Sequence, residues 1–406
     1  MADYTKYNGV AAADIVKIDG VAVGSIAKCD GATKPASGAT YWCIALDDRN
    51  TSWAANADIA DETEWADNIW ETATAASDSV DIIDIAYGKD NSGNGIFLVI
   101  ANATGNNVWV DQNNDITDGS NWDRISLSST AKRQTIQWGN DVWIAAGNVT
   151  ASNQNIHRST DGAQSFSAVD VSGCTNIDSS EAVKALASDG AGNWMFGQKG
   201  NLFFSSDDGA NWAFLVQPSG SGTDLIRDIV YTNSTWVVLY STGGNATLIS
   251  CAASTSANMD ATSDWGTAVT LTGSFTDSSD STSTVTLSGT STKRMAAAGG
   301  RVVAMQMGNG PDGVRTIAAD VSGKTITLDA SGTVQRVPMT QGAGQSIATD
   351  GTTWLAGGDG GTTNRDGGEI CRSTDGGDSW TLIVEGINNQ SSTRVNGITA
   401  DVYLPL

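Results

Sequence analysis

Basic residues are scarce in this chain of 406 residues. Lys and Arg number 22 against 45 Asp and Glu, giving a formal net charge of −23. A polyanion of this strength repels DNA, RNA and anionic membrane surfaces, so nucleic acid is excluded as a partner. Histidine is nearly absent: His157 is the only one, and no GxGxxG, Walker or HExxH pattern rises above chance. The five cysteines, Cys29, Cys43, Cys174, Cys251 and Cys371, are far apart and odd in number. They form no CxxC pair and no disulfide framework, which fits small apolar core residues in a chain folded in a reducing cytosol. No window approaches the roughly 18 apolar residues of a membrane span. Met1-Ala2-Asp3-Tyr4-Thr5-Lys6 lacks the basic start and apolar run of a signal peptide. The expectation is synthesis in the cytosol, without export or membrane insertion.

Proline is also rare, with 5 residues against 46 Gly and 14 Trp. That balance belongs to many short strands joined by tight turns. One turn recurs. Ser373-Thr374-Asp375-Gly376-Gly377-Asp378-Ser379-Trp380 shares the spacing S-x-D-x-G-x-x-W with Ser205-Ser206-Asp207-Asp208-Gly209-Ala210-Asn211-Trp212. Ser159-Thr160-Asp161-Gly162-Ala163-Gln164-Ser165-Phe166 repeats it, with Ala163 in place of the second Gly and Phe166 in place of Trp. The Asp can accept backbone amides of its own loop, and Gly permits positive φ. A turn returning every 45–55 residues or so indicates a repeat architecture.

Apolar runs count the repeats: Trp42-Cys43-Ile44-Ala45, Phe97-Leu98-Val99-Ile100, Trp143-Ile144-Ala145-Ala146, Trp194-Met195-Phe196, Trp236-Val237-Val238-Leu239, Arg301-Val302-Val303-Ala304-Met305 and Trp354-Leu355-Ala356. A short alternating segment precedes each, and in six of seven cases an aromatic follows: Trp65, Trp122, Phe166, Trp212, Trp265 or Trp380. Four short strands per unit, seven times over, predict an all-β, seven-bladed β-propeller over residues 39–406. Asn396-Gly397-Ile398-Thr399-Ala400 reads as an innermost strand with no blade after it, while the first unit lacks one. Pairing the two closes the ring with strands from both ends of the chain and removes exposed edges. The Ser/Thr/Asp-rich insertion from Gly273 to Thr292 fits either a loop or an extra exposed hairpin.

Residues 1–38 differ in kind. Lys6-Tyr7-Asn8-Gly9-Val10, Lys17-Ile18-Asp19-Gly20-Val21 and Lys28-Cys29-Asp30-Gly31-Ala32 recur every eleven residues. Asn-Gly and Asp-Gly call for two-residue turns, so the expectation is a small β-repeat arm. Units this small do not bury a core alone. The arm should gain order within a larger, oligomeric assembly, through residues 1–35.

Three constellations carry candidate chemistry. Aligning the innermost strands by their central apolar residue places Gln134, Lys184, Arg227, Arg294, Gln345 and Asn396 in equivalent positions. They form a polar and basic ring suited to an anionic or sugar ligand, or simply to water. Asp111, Asn113 and Asp115 offer oxygen ligands at alternate positions, a Ca²⁺-like spacing. Ile116 replaces the glycine of such a loop and no Glu follows at its twelfth position, so an ordinary Asx turn competes with Ca²⁺, and no other cofactor is expected. His157, without a Cys or Ser partner in motif context, fits a packed strand residue.

The S-x-D-x-G-x-x-W turn resembles the Asp-box, or BNR repeat, of sialidases, sortilin-type receptors, some glycosidases and photosystem assembly factors. In those families the box is structural, so the resemblance implies a fold and not an activity. On this basis Ser159, Asp161, Phe166, Ser205, Asp207, Gly209, Trp212, Ser373, Asp375, Gly377 and Trp380 are structural positions. A sialidase would also require an F/Y-R-I-P start and an arginine triad; Arg336-Val337-Pro338 is the nearest string, and it lies near the other end. Ile15-Val16-Lys17-Ile18-Asp19-Gly20-Val21 resembles the short I-x-K-x-D/N-G-V repeats of tailed-bacteriophage virion structural proteins. That resemblance implies a non-enzymatic, virion-located protein, in the tail or on the capsid. It would be anchored through its arm to other virion proteins, with the propeller displayed towards host-surface glycan. A glycan-processing enzyme and a photosystem-type assembly factor are the alternatives.

Overall fold

The apolar runs that count the repeats are the most deeply buried strands. Val142–Gly147, Trp194–Gln198 and Trp354–Gly358 are buried at every position. A strand covered on both faces needs no polar alternation, so its sequence is continuously apolar. In the computed structural model the residues described are 41–46, 51–55, 59, 65, 82–101, 107–111, 122–127, 133–147, 156–171, 173–178, 181–221, 224–252, 258–308, 312–329, 333–339, 344–359, 368–387 and 394–401, together with six two-residue strands within 6–33. The chain divides into two compact units, Met1–Ser37 and Gly38–Leu406.

In the first unit, Lys6–Tyr7 pairs Val10–Ala11, Lys17–Ile18 pairs Val21–Ala22, and Lys28–Cys29 pairs Ala32–Thr33. Each pair is antiparallel and encloses two residues, Asn8-Gly9, Asp19-Gly20 or Asp30-Gly31. The eleven-residue period is therefore a hairpin period.

The second unit is an all-β propeller of six blades, each named here by the first residue of its innermost strand. The Ile82 blade runs Ile82–Lys89, Gly95–Ala101, Asn107–Asp111, Trp122–Ser126. The Arg133 blade runs Arg133–Gly139, Val142–Gly147, Ile156–Ser159, Ser167–Ala168, and the Ala185 blade Ala185–Ser188, Trp194–Gln198, Asn201–Ser205, Ala213–Val216. The Leu225 blade follows with Leu225–Thr232, Thr235–Thr242, Asn245–Cys251, Val269–Thr270. The Thr292 blade has Thr292–Ala298, Arg301–Gln306 and Arg315–Ser322, with both Thr325–Leu328 and Thr333–Arg336 paired to the last of these. The Gly344 blade runs Gly344–Thr349, Trp354–Gly358, Gly368–Ser373, Thr381–Ile387. A three-stranded sheet joins the ends of this unit: Val395–Ala400 pairs Tyr41–Leu46, which pairs Thr51–Ala55. Each innermost strand touches the next, and Val395–Ala400 touches those of both the Gly344 and Ile82 blades. The insertion after Gly273 forms a hairpin, Thr272–Thr276 with Thr282–Thr286, on the outer edge of the Thr292 blade.

The core lies between sheets. Ile144, Ile156 and Val142 of the Arg133 blade pack on Phe196, Phe203 and Trp194 of the Ala185 blade. Met195 and Phe204 of that blade pack in turn on Trp236 and Ile249 of the Leu225 blade. The indole N–H of Trp143 reaches back to the Lys89 carbonyl at 3.0 Å. In the Arg133, Leu225 and Thr292 blades the first-to-second-strand turn has two residues, both at φ > 0: Asn140 (50°) and Asp141 (60°), Asn233 (47°) and Ser234 (56°), Gly299 (58°) and Gly300 (88°). These turns match the twist of the strands they join.

Blades approach closely where a side chain is missing. A Cβ added to Gly197 would lie 2.2 Å from Ile226 Cγ2 of the next blade. Gly197→Ala should therefore destabilise the ring by about 1–3 kcal/mol, the usual cost of overpacking, read as a lower midpoint in chemical denaturation.

Candidate functional site

All three S-x-D-x-G-x-x-W turns join the third strand of a blade to its fourth. In the Ala185 blade, Ser205 Oγ donates to Asp207 Oδ1 at 2.7 Å and accepts the Gly209 amide at 3.0 Å. Asp207 Oδ1 accepts the Asn211 amide at 2.9 Å and Oδ2 the Asn211 side-chain amide at 2.6 Å. The Trp212 indole closes the loop on the Gly209 carbonyl at 3.0 Å. Ser159, Asp161 and Ser165 repeat the arrangement, as do Ser373, Asp375 and Ser379. Phe166 and Trp380 are half-buried beside their turns, and Trp380 donates to Thr316 Oγ1 at 2.9 Å. Two successive residues take positive φ in each turn: Gly162 and Ala163, Asp208 and Gly209, Gly376 and Gly377. Ala163, at φ 66°, tolerates a strained conformation that the glycines adopt freely.

These turns dock on the preceding blade. Arg158 Nε donates to the Asp208 carbonyl, Asn140 Nδ2 to Asp208 Oδ1 at 2.7 Å, and Arg301 Nε to the Gly376 carbonyl at 2.6 Å. Partial burial works to raise the carboxyls of Asp161, Asp207 and Asp375, but the hydroxyl and amide donors around them outweigh it and hold all three below the usual value. The turns are joints between blades. Trp65 and Trp265, where the motif is eroded, still donate their indole N–H to carbonyls six residues back, Ile59 at 3.1 Å and Met259 at 3.0 Å.

The axial cavity, about 270 Å³, is lined by residues of the six inner strands and Val395–Ala400. Of the six aligned ring residues, Arg294 and Asn396 line it; Gln134, Lys184, Arg227 and Gln345 are absent from its lining. The cause is a β-bulge repeated at the same level of the ring. Pairing slips across Ile83, Gln134, Arg227, Lys293, Gln345 and Asn396, so each is the extra residue of its strand. The residue after each bulge faces the cavity instead: Asp84, Thr135, Asp228, Arg294, Ser346 and Gly397. In the Thr292 blade the alignment is off by one, because Lys293 is the bulge. Lys184 precedes its strand. Arg227 reaches the Gly289 carbonyl at 2.8 Å and Asn396 the Ile82 carbonyl at 2.7 Å.

Asp84 and Asp228 escaped the sequence alignment, although a carboxylate inside an apolar inner strand (Ile82-Ile83-Asp84-Ile85, Ile226-Arg227-Asp228-Ile229) is itself a signal. Both are 8% exposed. Asp84 Oδ2 accepts the Ile136 amide of the next blade at 3.2 Å, and Asp228 Oδ2 accepts that of Met295 at 2.7 Å. Asp228 Oδ1 takes the Ile229 amide at 2.9 Å, and Ser346 Oγ donates to the Val395 carbonyl at 3.0 Å. Burial raises both carboxyls, Asp228 to about 6, and the nearby Arg294 guanidinium opposes the rise in each. This layer is a second set of joints between blades, and its carboxylates are held by backbone amides.

The Ca²⁺-like spacing is described only at Asp111, which is fully buried at a strand end; its charge adds to burial in pushing the Cys43 thiol up. Asn113 and Asp115 lie outside the described residues. Among the described residues no group of three His, Cys, Asp or Glu side chains could hold a metal ion. His157 is buried in the third strand of the Arg133 blade, opposite Ala145 and Ala168.

No family model matches the chain, and no curated protein does. Among solved structures, one of YCF48 bound to D1 peptide is 13% identical, with a TM-score of 0.47, covering 78% of this chain and 89% of that one. A xyloglucanase from Xanthomonas campestris, of the class GH74, is 12% identical with a TM-score of 0.39, over 86% of this chain and 46% of its own. A prolyl endopeptidase is 10% identical with a TM-score of 0.50, over 91% of this chain and 50% of its own. This chain thus spans about half the length of those two enzymes. At such identities the likeness concerns the propeller fold.

The two carboxylate classes titrate in opposite senses. The turn aspartates have lowered values, so their contribution to stability is present above the ordinary carboxylate value, about 4, and is lost as pH falls through the lowered ones. Asp228 is raised, so its contribution is present below about 4 and is lost as pH rises through about 6. Denaturation midpoints across pH 3–8 or so, with the Asp228 carboxyl followed by ¹³C NMR, should show both limbs. Asp207→Ala should remove on the order of 1–2 kcal/mol, as the loss of a side chain that caps loop amides does, and flatten part of the acid limb.

Proposed function

We propose that this chain is a non-enzymatic virion structural protein of a tailed bacteriophage, anchored by its hairpin-repeat unit and presenting the propeller to host-surface glycan. The observation that carries this reading is the division of labour in the chain. Three hairpins of two-residue strands recur every eleven residues in a unit separate from a fully formed propeller. Such hairpins are too short to be stable alone, so a unit whose described residues are these hairpins needs an assembly to order it. The other virion proteins supply that assembly, and the strong net negative charge keeps the displayed propeller soluble.

The three-stranded sheet is, on this reading, the seventh blade. Cys43 and Ala45 pack on Phe97 and Val99 of the Ile82 blade, while Trp42, Ile44 and Leu46 pack on Leu355, Ile370 and Val384 of the Gly344 blade. A sheet that buries apolar layers against both neighbours occupies a blade's place.

Glycan processing is the second reading, and one observation favours it. An acid near pH 6, as at Asp228, is what proton donation to a leaving group requires. The amides of Met295 and Ile229, bonded to its two oxygens, favour the structural role.

Deletion of residues 1–38 should leave a folded propeller, with the wild-type near-ultraviolet circular dichroism, that no longer enters particles. Particles that still carry the truncated chain would remove the anchoring role. On a panel of host glycans the full chain should bind without hydrolysis; hydrolysis abolished by Asp228→Ala would establish the second reading instead.

A further inference from the structure

We infer that the Thr282–Thr286 strand is a self-association edge, on which a second copy of this chain adds its own Thr282–Thr286 strand antiparallel about a two-fold axis at Thr284. Among the described residues this strand ends the strand order of its sheet, outside Thr272–Thr276. Its hairpin is firmly seated. Phe275, 2% exposed, enters the core between the Leu225 and Thr292 blades, with the Arg315 guanidinium 4.2 Å from its ring centroid. At the hairpin tip, the Ser278 amide and hydroxyl donate to Asp312 at 2.9 and 2.8 Å.

The bonding phase of the hairpin fixes what its outer edge offers. Asp277 N donates to Ser281 O at 3.0 Å and Leu287 N to Leu271 O at 2.8 Å. Hydrogen-bonded and non-bonded pairs alternate along an antiparallel ladder. Thr276–Thr282, Ser274–Thr284 and Thr272–Thr286 are therefore the non-bonded pairs. The N–H and C=O groups of Thr282, Thr284 and Thr286 consequently point away from the hairpin, at its open edge. With Thr284 opposite its own copy, Thr282 faces the partner's Thr286, and each of these residues bonds in both directions.

Sequence and charge select a second copy as the occupant. Natural edges are protected by brevity, charge, proline or bulges. Several outer strands here are short, as at Ser167–Ala168 and Val269–Thr270, or charged, as at Asp123 and Arg124 or Glu385. Thr51–Ala55 and Ala213–Val216 are uncharged, as Thr282–Thr286 is, but less exposed or shorter. Ser281 to Thr292 holds neither charge nor proline. In a chain of net charge −23, an exposed strand without charge lets two copies approach along it with little direct repulsion. Within Thr282–Thr286 the two-fold register opposes no charged residues. The pairing also extends the side-chain contacts already present, Thr272–Thr286 at 2.8 Å and Thr276–Thr282 at 3.0 Å between hydroxyls.

Sedimentation velocity of the full chain from about 1 to 200 µM tests the inference. An interface of this size falls below the standard class of about 1,200–2,000 Å², so a dimer of micromolar affinity or weaker is expected. Raised salt should strengthen it by screening the net charge. Thr284→Pro leaves the hairpin intact, because that N–H points outward, and Thr284→Lys sets two like charges on the axis. Each should weaken dimerisation at least about tenfold. Thr284→Val, which keeps the backbone edge, should dimerise like the wild type. Hydrogen exchange should slow at the amides of Thr282, Thr284 and Thr286 as concentration rises. A wild-type chain that stays monomeric throughout overturns the inference, as do Pro and Lys variants that associate unchanged. Loss of association in Thr284→Val would assign the contact to hydroxyls and overturn strand addition as well.

Discussion

A propeller blade has two apolar faces and no means of covering either by itself, so every sheet of the ring depends on contact with the next around the axis. The clusters of buried apolar residues are drawn from pairs of neighbouring sheets, not from within one. Burial of this kind is favourable in proportion to the area removed from water but has no direction. It brings the sheets together without fixing their register. Register comes from polar joints placed at two levels of the ring.

At one level the Ser-Asp-Gly-Trp turns dock on the preceding blade, through Arg158, Asn140 and Arg301. At the other, residues at or just after the bulges reach the following inner strand: Asp84 to Ile136, Asp228 to Met295, Ser346 to Val395, Asn396 to Ile82. Buried polar groups are costly unless paired, so these bonds tolerate little sliding of one blade past another. The apolar layers supply cohesion and the polar joints supply geometry. The same logic accounts for the elevated Asp228 carboxyl: a group recruited to hold two backbone amides is buried with only Arg294 to balance its charge.

Much of the architecture was legible because it rests on local chemistry. The turn motif needs only residues within eight positions of one another, and its hydrogen bonds form as its residue types imply. The apolar second strands were equally readable, since burial on both faces leaves an uninterrupted run. The inner ring was not. A bulge inserts one residue and reverses which side chains face the axis, and its location depends on the partner strand. Alignment by apolar centres thus selected Gln134, Arg227 and Gln345, where the fold presents Thr135, Asp228 and Ser346. The aligned Arg294 does face the axis, because there the bulge falls on Lys293.

By itself the sequence determined the repeat, the strand character of each unit, the three Asp turns and the eleven-residue hairpin period, all of them set by residues near one another along the chain. The pairing of Val395–Ala400 with Tyr41–Leu46 was expected from the sequence and is present. Only the tertiary structure decided which residues meet on the axis and that the segment after Gly273 is a hairpin and not a loop. Those outcomes depend on partners tens to hundreds of residues away, where pairing, and not local propensity, sets the direction of each side chain.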